Sequence, residues 1–432
     1  MIKIEMKSFV LFLLVSLSLL SIGMPALGSG VNIAMRSYVG DVRMDVKTKS
    51  IHVTMDLTLD STDVAVDSVT YLLNKNAEIK ELRWDGDTAQ YSFDTTGTSP
   101  NRYLPDARML TIKTPGMRKG THRLRLKYNC RLDDLKHRGC LFEENWIELN
   151  GYSTWFPINY DYGKFSCDVK IGLDKRYRMS GSGSVSGDGN GAWRLMRTTG
   201  DTEIVLVASP ELHTRRYEKD GRTIRIDSIR MTDAQAEAML VACRETFDRY
   251  EKWFGGTEGK SLTLTLNPTR NVTSYARKGF ISLQTEGRAE NELYQTIGHE
   301  IGHFWWGNAV SNDTWEDWLN ESFAEYAALL NDRETYGDEP FQMTIGKYRK
   351  VAAPLPPLWE IDRGGDEGGI TLYRKGPVIL YDLDQKLGHE PFLRLMKEIA
   401  TRKVARTADL LTLIETQTSA ETRRWLEDAL KK

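Results

Sequence analysis

The chain contains 432 residues, which is more than one ordinary hydrophobic core accommodates, so we expect two domains. Hydrophobic residues make up 40% of the sequence, charged residues make up 27%, and the formal net charge is only -2. This balance, with both signs mixed along the chain, excludes the strongly basic proteins that bind nucleic acid or an anionic membrane surface through charge.

The first 28 residues differ in composition from the rest of the chain. Two lysines precede an apolar run over residues 9–24, and small residues follow at Ala26 and Gly28. This pattern predicts a secretory signal peptide over residues 1–28 and export to the periplasm or the extracellular space, with no stable membrane insertion after cleavage. The alternative is an uncleaved membrane anchor, because the apolar run is marginal for spanning a bilayer.

Residues 29–214 show the period of two that is typical of strands, for example over residues 51–59 and 122–128. Turn residues such as Asp85-Gly86 separate these runs. The glycine-rich stretch 180–192 lacks the Gly-Lys-Ser/Thr ending of a phosphate loop and is followed by no helical pattern, so it predicts a hairpin. This part of the chain is therefore predicted to be an all-β domain.

An exported chain can hold disulfides, and the sequence contains four cysteines. Cys130 and Cys140 flank a polar connection after a predicted strand, so a bridge across this loop is plausible, and the disulfide pairing is left open. Cys167 and Cys243 fall on the apolar phase of a strand and of a helix, and we expect both to be buried thiols.

The pattern changes after residue 214. Residues 232–254 have helical periodicity, two strands are expected at SLTLTL and GFISLQ, and the remainder is mostly helical. Residues 215–432 are therefore predicted to form a second domain of the α+β class.

The pattern His-Glu-x-x-His is the strongest chemical signal in the sequence. On a helix, residues four apart lie one turn apart on one face, so His299 and His303 can direct their imidazoles at one point. Glu300 lies beside that point, as suits a general base. The pattern predicts a zinc site, although two histidines near a core is the plainer alternative.

A catalytic zinc ion needs a third protein ligand and one open position. The next helix is predicted to begin with Thr314 as N-cap and Asp317 completing a capping box. Glu321 lies among aromatic residues of this helix, where an unpaired carboxylate is expensive to bury, so it is predicted as the third ligand. Glu325, one turn further on, either supports a ligand or lies on a solvated face.

The run GHEIGHFWWGNAVSNDTWEDWLNESFAEY resembles the zinc signature of the aminopeptidase N family of gluzincin metallopeptidases. The resemblance implies a single Zn²⁺ bound by His299, His303 and Glu321, with Glu300 as the general base. The resemblance extends to the strand-rich first half and to the segment LYRKGPVILYDLDQKLG. They imply an N-terminal all-β domain followed by a thermolysin-like α+β metallopeptidase domain, with Tyr373 donating to the oxyanion of the tetrahedral intermediate.

The sequence departs from the family pattern in three places. Seventeen residues separate His303 from Glu321, one fewer than is usual, and we place the deletion in the turn at 309–313. The Gly-x-Met-Glu-Asn motif that anchors a substrate's amino group is replaced by a segment with Arg277 and Lys278, followed by GFISLQ as a candidate edge strand. The chain ends soon after the catalytic segment, which is typical of a short, two-domain form with an open cleft.

We therefore expect a zinc metallopeptidase with a peptide or protein substrate and no nucleic-acid partner. Its exo- or endopeptidase character and its oligomeric state are left open. The same residues are compatible with two alternatives: a non-catalytic peptide-binding module with a retained metal site, and a true aminopeptidase with a different amine anchor. Hydrolysis of a carbonyl compound other than a peptide is a third, because the same zinc chemistry serves many carbonyls.

Overall fold

The computed structural model describes residues 33–61, 66–101, 104–137, 139–160, 163–257, 261–269, 272, 274–307 and 314–432. The predicted signal peptide and the turn at 309–313 lie outside the described residues. Within the described part, no helix is both long and apolar enough to cross a lipid bilayer.

The first half of the described chain is built from strands, as the alternating pattern predicts. The burial of β2 alternates along its length because one face packs on the core. These strands are β1 Ile33–Asp45, β2 Ser50–Ser61, β3 Val66–Asn74, β4 Ala77–Trp84, β5 Asp87–Thr88, β6 Tyr91–Phe93, β7 Ala107–Met117, β8 Gly120–Arg131, β9 Leu141–Phe142, β10 Ile147–Leu149, β11 Ile158–Asn159, β12 Phe165–Gly172, β13 Arg178–Gly181, β14 Ser184–Gly187, β15 Ala192–Asp201 and β16 Leu206–Ser209.

These strands form three sheets. The largest has the order β14-β15-β12-β1-β2-β8-β4-β5, and two smaller sheets have the orders β13-β16-β10-β9 and β11-β3-β7-β6. Asp85 and Gly86, with φ of 49° and 97°, make the two-residue turn between β4 and β5. The glycine-rich stretch forms the β14–β15 hairpin, as predicted.

The second half is mixed. Its strands are β17 His213–Lys219, β18 Arg222–Ser228, β19 Ser261–Asn267, β20 Tyr275–Arg277 and β21 Phe280–Gln284. Its helices are α1 Asp233–Phe254, α2 Glu290–Trp306, α3 Trp318–Tyr336, α4 Asp338–Ala352, α5 Gly368–Ile370, α6 Gly376–Leu387, α7 His389–Thr401, α8 Thr407–Gln417 and α9 Ala420–Leu430, with a π-helical turn at Thr371–Lys375 before α6. The predicted fold class, an all-β domain followed by a thermolysin-like α+β domain, is confirmed.

The five strands of the second half form one sheet in the order β17-β18-β19-β21-β20. The prediction that GFISLQ is an edge strand is wrong, because β21 pairs with β19 on one side and with β20 on the other. The chain folds back through Gly279, which has φ of 71°, so that the short strand β20 becomes the edge.

The buried hydrophobic residues form two clusters. One gathers side chains of β1–β16, and the other gathers side chains of the second half. Tyr275 and Phe280 belong to the first cluster, so the tip of the β20–β21 hairpin packs into the N-terminal core. Strand β17 crosses the expected domain boundary at 214–215, and that boundary stays a prediction.

The structure contains no bridge between Cys130 and Cys140. Both residues are free, buried thiols. The sulfur of Cys140 donates instead to the carbonyl oxygen of His137 at 3.3 Å, and Cys130 occupies a ladder position of β8 opposite Ile51. Cys167 and Cys243 are free and buried, as predicted.

Candidate metal site

Helix α2 carries the two predicted histidine ligands one turn apart. The Nε2 atoms of His299 and His303 lie 3.1 Å from each other, and the ring planes are perpendicular. The residues preceding them are glycines, and a Cβ atom on Gly302 would lie 3.0 Å from the Cα of Ala324 in α3. The absence of side chains there lets α3 approach the histidines closely.

Helix α3 supplies the third predicted ligand. Oε2 of Glu321 lies 3.3 Å from Nε2 of His299 and 3.6 Å from Nε2 of His303. The side chains of His299 and Glu321 are buried, that of His303 is 10% exposed, and their ligand atoms lie within 4.8 Å of one another. Two imidazole nitrogens and one carboxylate oxygen converging on a point form the open three-ligand set of a catalytic zinc site. The set fits a single Zn²⁺ ion.

The charges around the three predicted ligands also favour the binding of a cation. Burial lowers the pKa of His303 to about 4, so its ring is neutral and can act as a ligand at neutral pH. Burial acts in the same direction on His299, but the carboxylates of Glu321 and Glu325 raise the pKa of His299 to about 10. The negative charge of these two carboxylates favours a cation at this point.

Glu300 lies beside the ligand set. Its Oε2 atom is 3.9 Å from Nε2 of His303, and the side chain is 1% exposed. Neither of its carboxylate oxygens has a hydrogen-bond partner among the described residues. Burial raises the pKa of Glu300 to about 7, against the opposing charges of His299 and Arg277. A buried carboxylate with free oxygens and this affinity for protons can act as a general base near neutral pH.

Tyr373 comes to the same site from the π-helical turn. Its ring lies 5.4 Å from the ring of His299, and the residue is 8% exposed. The turn is held from two sides: Ser322 Oγ donates to the carbonyl oxygen of Leu372 at 2.7 Å, and Lys375 Nζ donates to two carbonyl oxygens after α4. Departures from α-helical geometry of this kind are frequent at functional sites. The oxyanion role of Tyr373 stays a prediction.

Gly376 explains part of the motif after Tyr373. A Cβ atom at this position would lie 1.9 Å from Oγ of Ser322, so any side chain here would push α6 away from α3. Since the π-helical turn leads directly into α6, the glycine keeps the turn against the ligand-bearing helix.

A chain of polar contacts supports His303, and most of its members were not predicted. Nδ1 of His303 lies 2.6 Å from Oδ1 of Asn320, whose amide nitrogen donates to Asp317. Arg363 Nε donates to Asp317 at 2.7 Å. The asparagine of the Trp-Leu-Asn-Glu motif was visible in the sequence, but Arg363 lies on a distant loop with no signal of its own.

The predicted capping box is wrong because Asp317 takes part in this chain of contacts instead. Thr314 precedes a 3₁₀ turn at Trp315–Asp317 and makes no side-chain cap, and α3 begins only at Trp318. Asp317 is fully buried and bonded to Asn320 and Arg363, so its carboxylate is not available for capping.

Glu325 does not lie on a solvated face. It is 7% exposed, and its Oε2 atom lies 2.8 Å from Nδ1 of His299. The alternative in which it supports a ligand is the one that agrees with the structure.

Arg277 and Lys278 differ in their surroundings. Lys278 is exposed, whereas Arg277 is buried with Nε 2.9 Å from Oε1 of Glu203 and its guanidinium over the ring of Tyr275. The charge of Arg277 is therefore paired with a carboxylate of the N-terminal half. No glutamate stands in strand β20 itself.

Comparison with known proteins agrees with this geometry. Residues 273–353 match the family described as the Peptidase family M1 domain. The chain is 27% identical over 240 residues to aminopeptidase N of Streptomyces lividans, covering 48% of this chain and 28% of the relative. It is 34% identical over 124 residues to leukotriene A-4 hydrolase of Xenopus laevis, covering 25% of this chain and 20% of that protein. The chain thus spans less than a third of these curated relatives.

The likeness in fold covers more of the chain. The crystal structure of an M1 zinc metallopeptidase from Deinococcus radiodurans aligns with a TM-score of 0.72 at 18% identity, over 93% of this chain and 94% of that one. The chain thus shares its fold with a two-domain M1 zinc metallopeptidase, and residues 273–353 share their sequence pattern with the M1 peptidase domain. In fold and in its zinc region the chain is thus similar to the aminopeptidase N-like gluzincins, and the resemblance stated from the sequence is confirmed.

Proposed function

We propose that the protein is a zinc-dependent metallopeptidase that hydrolyses peptide bonds. One observation carries the proposal: the buried ligand atoms of His299, His303 and Glu321 converge, and the unpartnered carboxylate of Glu300 lies beside them. A purely structural zinc site closes with four protein ligands, often cysteines, and has no use for such a carboxylate.

The residues divide the chemistry among them. A zinc ion bound here would supply Lewis acidity toward water and toward the carbonyl that is cleaved. Glu300 takes the proton of the attacking water and later delivers it to the leaving nitrogen. Tyr373 donates a hydrogen bond to the carbonyl oxygen as negative charge develops on it. The chain needs no covalent intermediate for this reaction.

The substrate is proposed to be a peptide that needs no free amino terminus. Strand β20 is the edge of its sheet, and an extended peptide can add to such an edge through main-chain hydrogen bonds. The buried cation of Arg277 is paired with Glu203, and Lys278 is exposed, so this strand offers no carboxylate to an ammonium group. We therefore propose internal cutting in addition to end trimming.

We also propose that the protein acts after export, with residues 1–28 removed. The support is the sequence pattern described above. Amino-terminal sequencing of the protein recovered from its native host would start at residue 29 under this proposal, and a retained first residue would support the uncleaved anchor.

Digestion of a mixed peptide library tests the proposed activity. We expect cleavage that stops on chelation, returns with added zinc, and includes sites away from the amino terminus. A folded, zinc-loaded chain that cuts no peptide would favour the non-catalytic binding module. Cleavage confined to the first residue would favour a true aminopeptidase with another amine anchor.

A further inference from the structure

Glu325 occupies an unusual position between a predicted zinc ligand and three donors from other parts of the domain. Its Oε2 atom lies 2.8 Å from Nδ1 of His299. Its Oε1 atom accepts from Tyr348 Oη at 2.5 Å, from Arg374 Nη1 at 3.2 Å and from Gln295 Nε2 at 3.3 Å. One oxygen therefore faces the metal site, while the other accepts hydrogen bonds from side chains of helix α2, helix α4 and the π-helical turn.

The contact with Arg374 leads directly to Tyr373. The same Nη1 atom that donates to Glu325 also donates to the main-chain carbonyl oxygen of Tyr373 at 2.7 Å. The guanidinium itself lies over the ring of Tyr348, 4.2 Å from its centroid. A single nitrogen thus joins the backbone of Tyr373 to the carboxylate that contacts His299.

The burial of this cluster makes the arrangement rigid. The side chains of Glu325 and Arg374 are only 9% and 8% exposed. Charged groups at this depth keep their partners because water does not replace a lost contact. A shift of the π-helical turn would therefore disturb Glu325, and a shift of Glu325 would disturb the ring of His299.

We propose that Glu325 is a positioning residue that couples zinc binding to the placement of Tyr373. Its Oε2 atom fixes the orientation of the His299 ring, and its Oε1 atom, through Arg374, fixes the π-helical turn. The inference rests on the proposed function for the role of Tyr373. It adds that Glu325 and Arg374, which lie outside the set of three ligands, set the distance between the ligand set and the oxyanion donor.

Substitution of Glu325 tests the half of the proposal that concerns His299. In Glu325→Gln the amide cannot serve both faces, since its NH₂ group must oppose either the Nδ1 proton of His299 or the donors on the other side. We expect zinc affinity, measured by competition with a chromophoric chelator, to fall by about 10- to 100-fold. Wild-type zinc affinity in this variant would overturn the proposal, even if peptide hydrolysis by the wild-type protein stands.

Substitution of Arg374 tests the half that concerns Tyr373. In Arg374→Met, Glu325 keeps Tyr348, Gln295 and His299, so we expect zinc affinity within a few-fold of wild type and kcat lowered by about 10- to 100-fold. In the Tyr373→Phe background the same change should lower kcat by less than about threefold, because residues acting through one another are not additive. Additive losses would overturn the coupling.

Arg349→Met is the matched control. Like Arg374, Arg349 pairs with a carboxylate, that of Asp382, but it lies in helix α4 and the pair is exposed. We expect neither zinc affinity nor kcat to change. If Glu325→Gln does not fold, the cycle of Arg374→Met and Tyr373→Phe still decides the coupling. A wild-type protein that binds zinc but hydrolyses no peptide would contradict the proposed function. The zinc affinity of Glu325→Gln relative to wild type would still test whether Glu325 positions His299.

Discussion

The two sides of the candidate cleft differ in how they keep the chemistry of an aminopeptidase N-like fold. On the helical side, His299, His303 and Glu321 converge, and each histidine is supported by a polar partner behind it. On the strand side, the edge strand β20 carries Arg277, which is turned into the N-terminal half and paired with Glu203. The helical side directs ligand atoms at a site for a metal ion, whereas the strand side already contains the positive charge of Arg277.

This difference separates two functions that a peptidase can combine. Under the proposed function, bond cleavage would depend on the helical side, because the predicted ligands, the predicted base and the predicted oxyanion donor all come from α2, α3 and the turn before α6. Selection of a free amino terminus would depend on a carboxylate on the strand side. We therefore propose that the residues for hydrolysis are kept on the helical side, while the buried pair of Arg277 and Glu203 stands where an amine anchor is expected on the strand side.

The largest effect is expected from Glu300→Gln. The amide keeps the shape of the side chain but cannot take a proton from water, so turnover should fall by about 10³-fold or more. Zinc content should stay at the wild-type level, since Glu300 is not among the three ligands. Steady-state hydrolysis of a reporter peptide measures the effect, and substantial remaining activity would remove Glu300 from the role of base.

On the strand side, Arg277→Met should act mainly on stability. The substitution leaves the carboxylate of Glu203, which is 1% exposed, buried without its cation. Breaking a buried pair in this way costs about 3–5 kcal/mol of unfolding free energy. Urea denaturation measures the loss.

The double variant Arg277→Met with Glu203→Gln is the control for that loss, because it removes both charges. We expect it to recover a large part of the stability. If Arg277→Met instead left stability unchanged and raised KM, Arg277 would be a substrate contact, and the contrast between the two sides would not hold.

Tyr373→Phe tests whether the oxyanion donor belongs to the helical side. Loss of one preorganised donor typically lowers kcat by about 10²-fold. The expected signature is a lower kcat with little change in KM, because the hydrogen bond strengthens only as charge develops. Unchanged turnover would leave Tyr373 as an aromatic residue that packs near His299.

The smallest effect is expected for the amino terminus of the substrate. One peptide, supplied with a free and with an acetylated amino terminus, should give kcat/KM values that differ by less than about tenfold, which corresponds to roughly 1.4 kcal/mol. The reason is the lack of a carboxylate in strand β20. A strong preference for the free amine would restore the aminopeptidase interpretation.

The sequence predicted those parts of the site that depend on spacing within one helix. The His-Glu-x-x-His pattern set two imidazoles on one face of α2, and the cost of burying Glu321 among aromatic residues indicated a positive partner. The structure places these groups together. Helical periodicity also located α1, whose Thr232 cap and Gln235 complete a capping box.

The parts that failed depend on contacts between distant segments. Asp317 has the right spacing for a capping box, but Arg363 comes from a loop far along the chain and uses its carboxylate instead. Strand β20 is too short to show an alternating pattern, so β21 was mistaken for the edge. The surroundings of Glu325 require α4 and the π-helical turn, and no local pattern reports their approach.

Zinc content tests the central claim most directly. After equilibration with buffered zinc, elemental analysis of the purified, folded protein should give one zinc per chain for the wild type and for Glu300→Gln. Glu321→Gln, which removes a charged ligand, should retain much less. A folded wild-type chain that contains no metal and ignores added zinc would contradict the account.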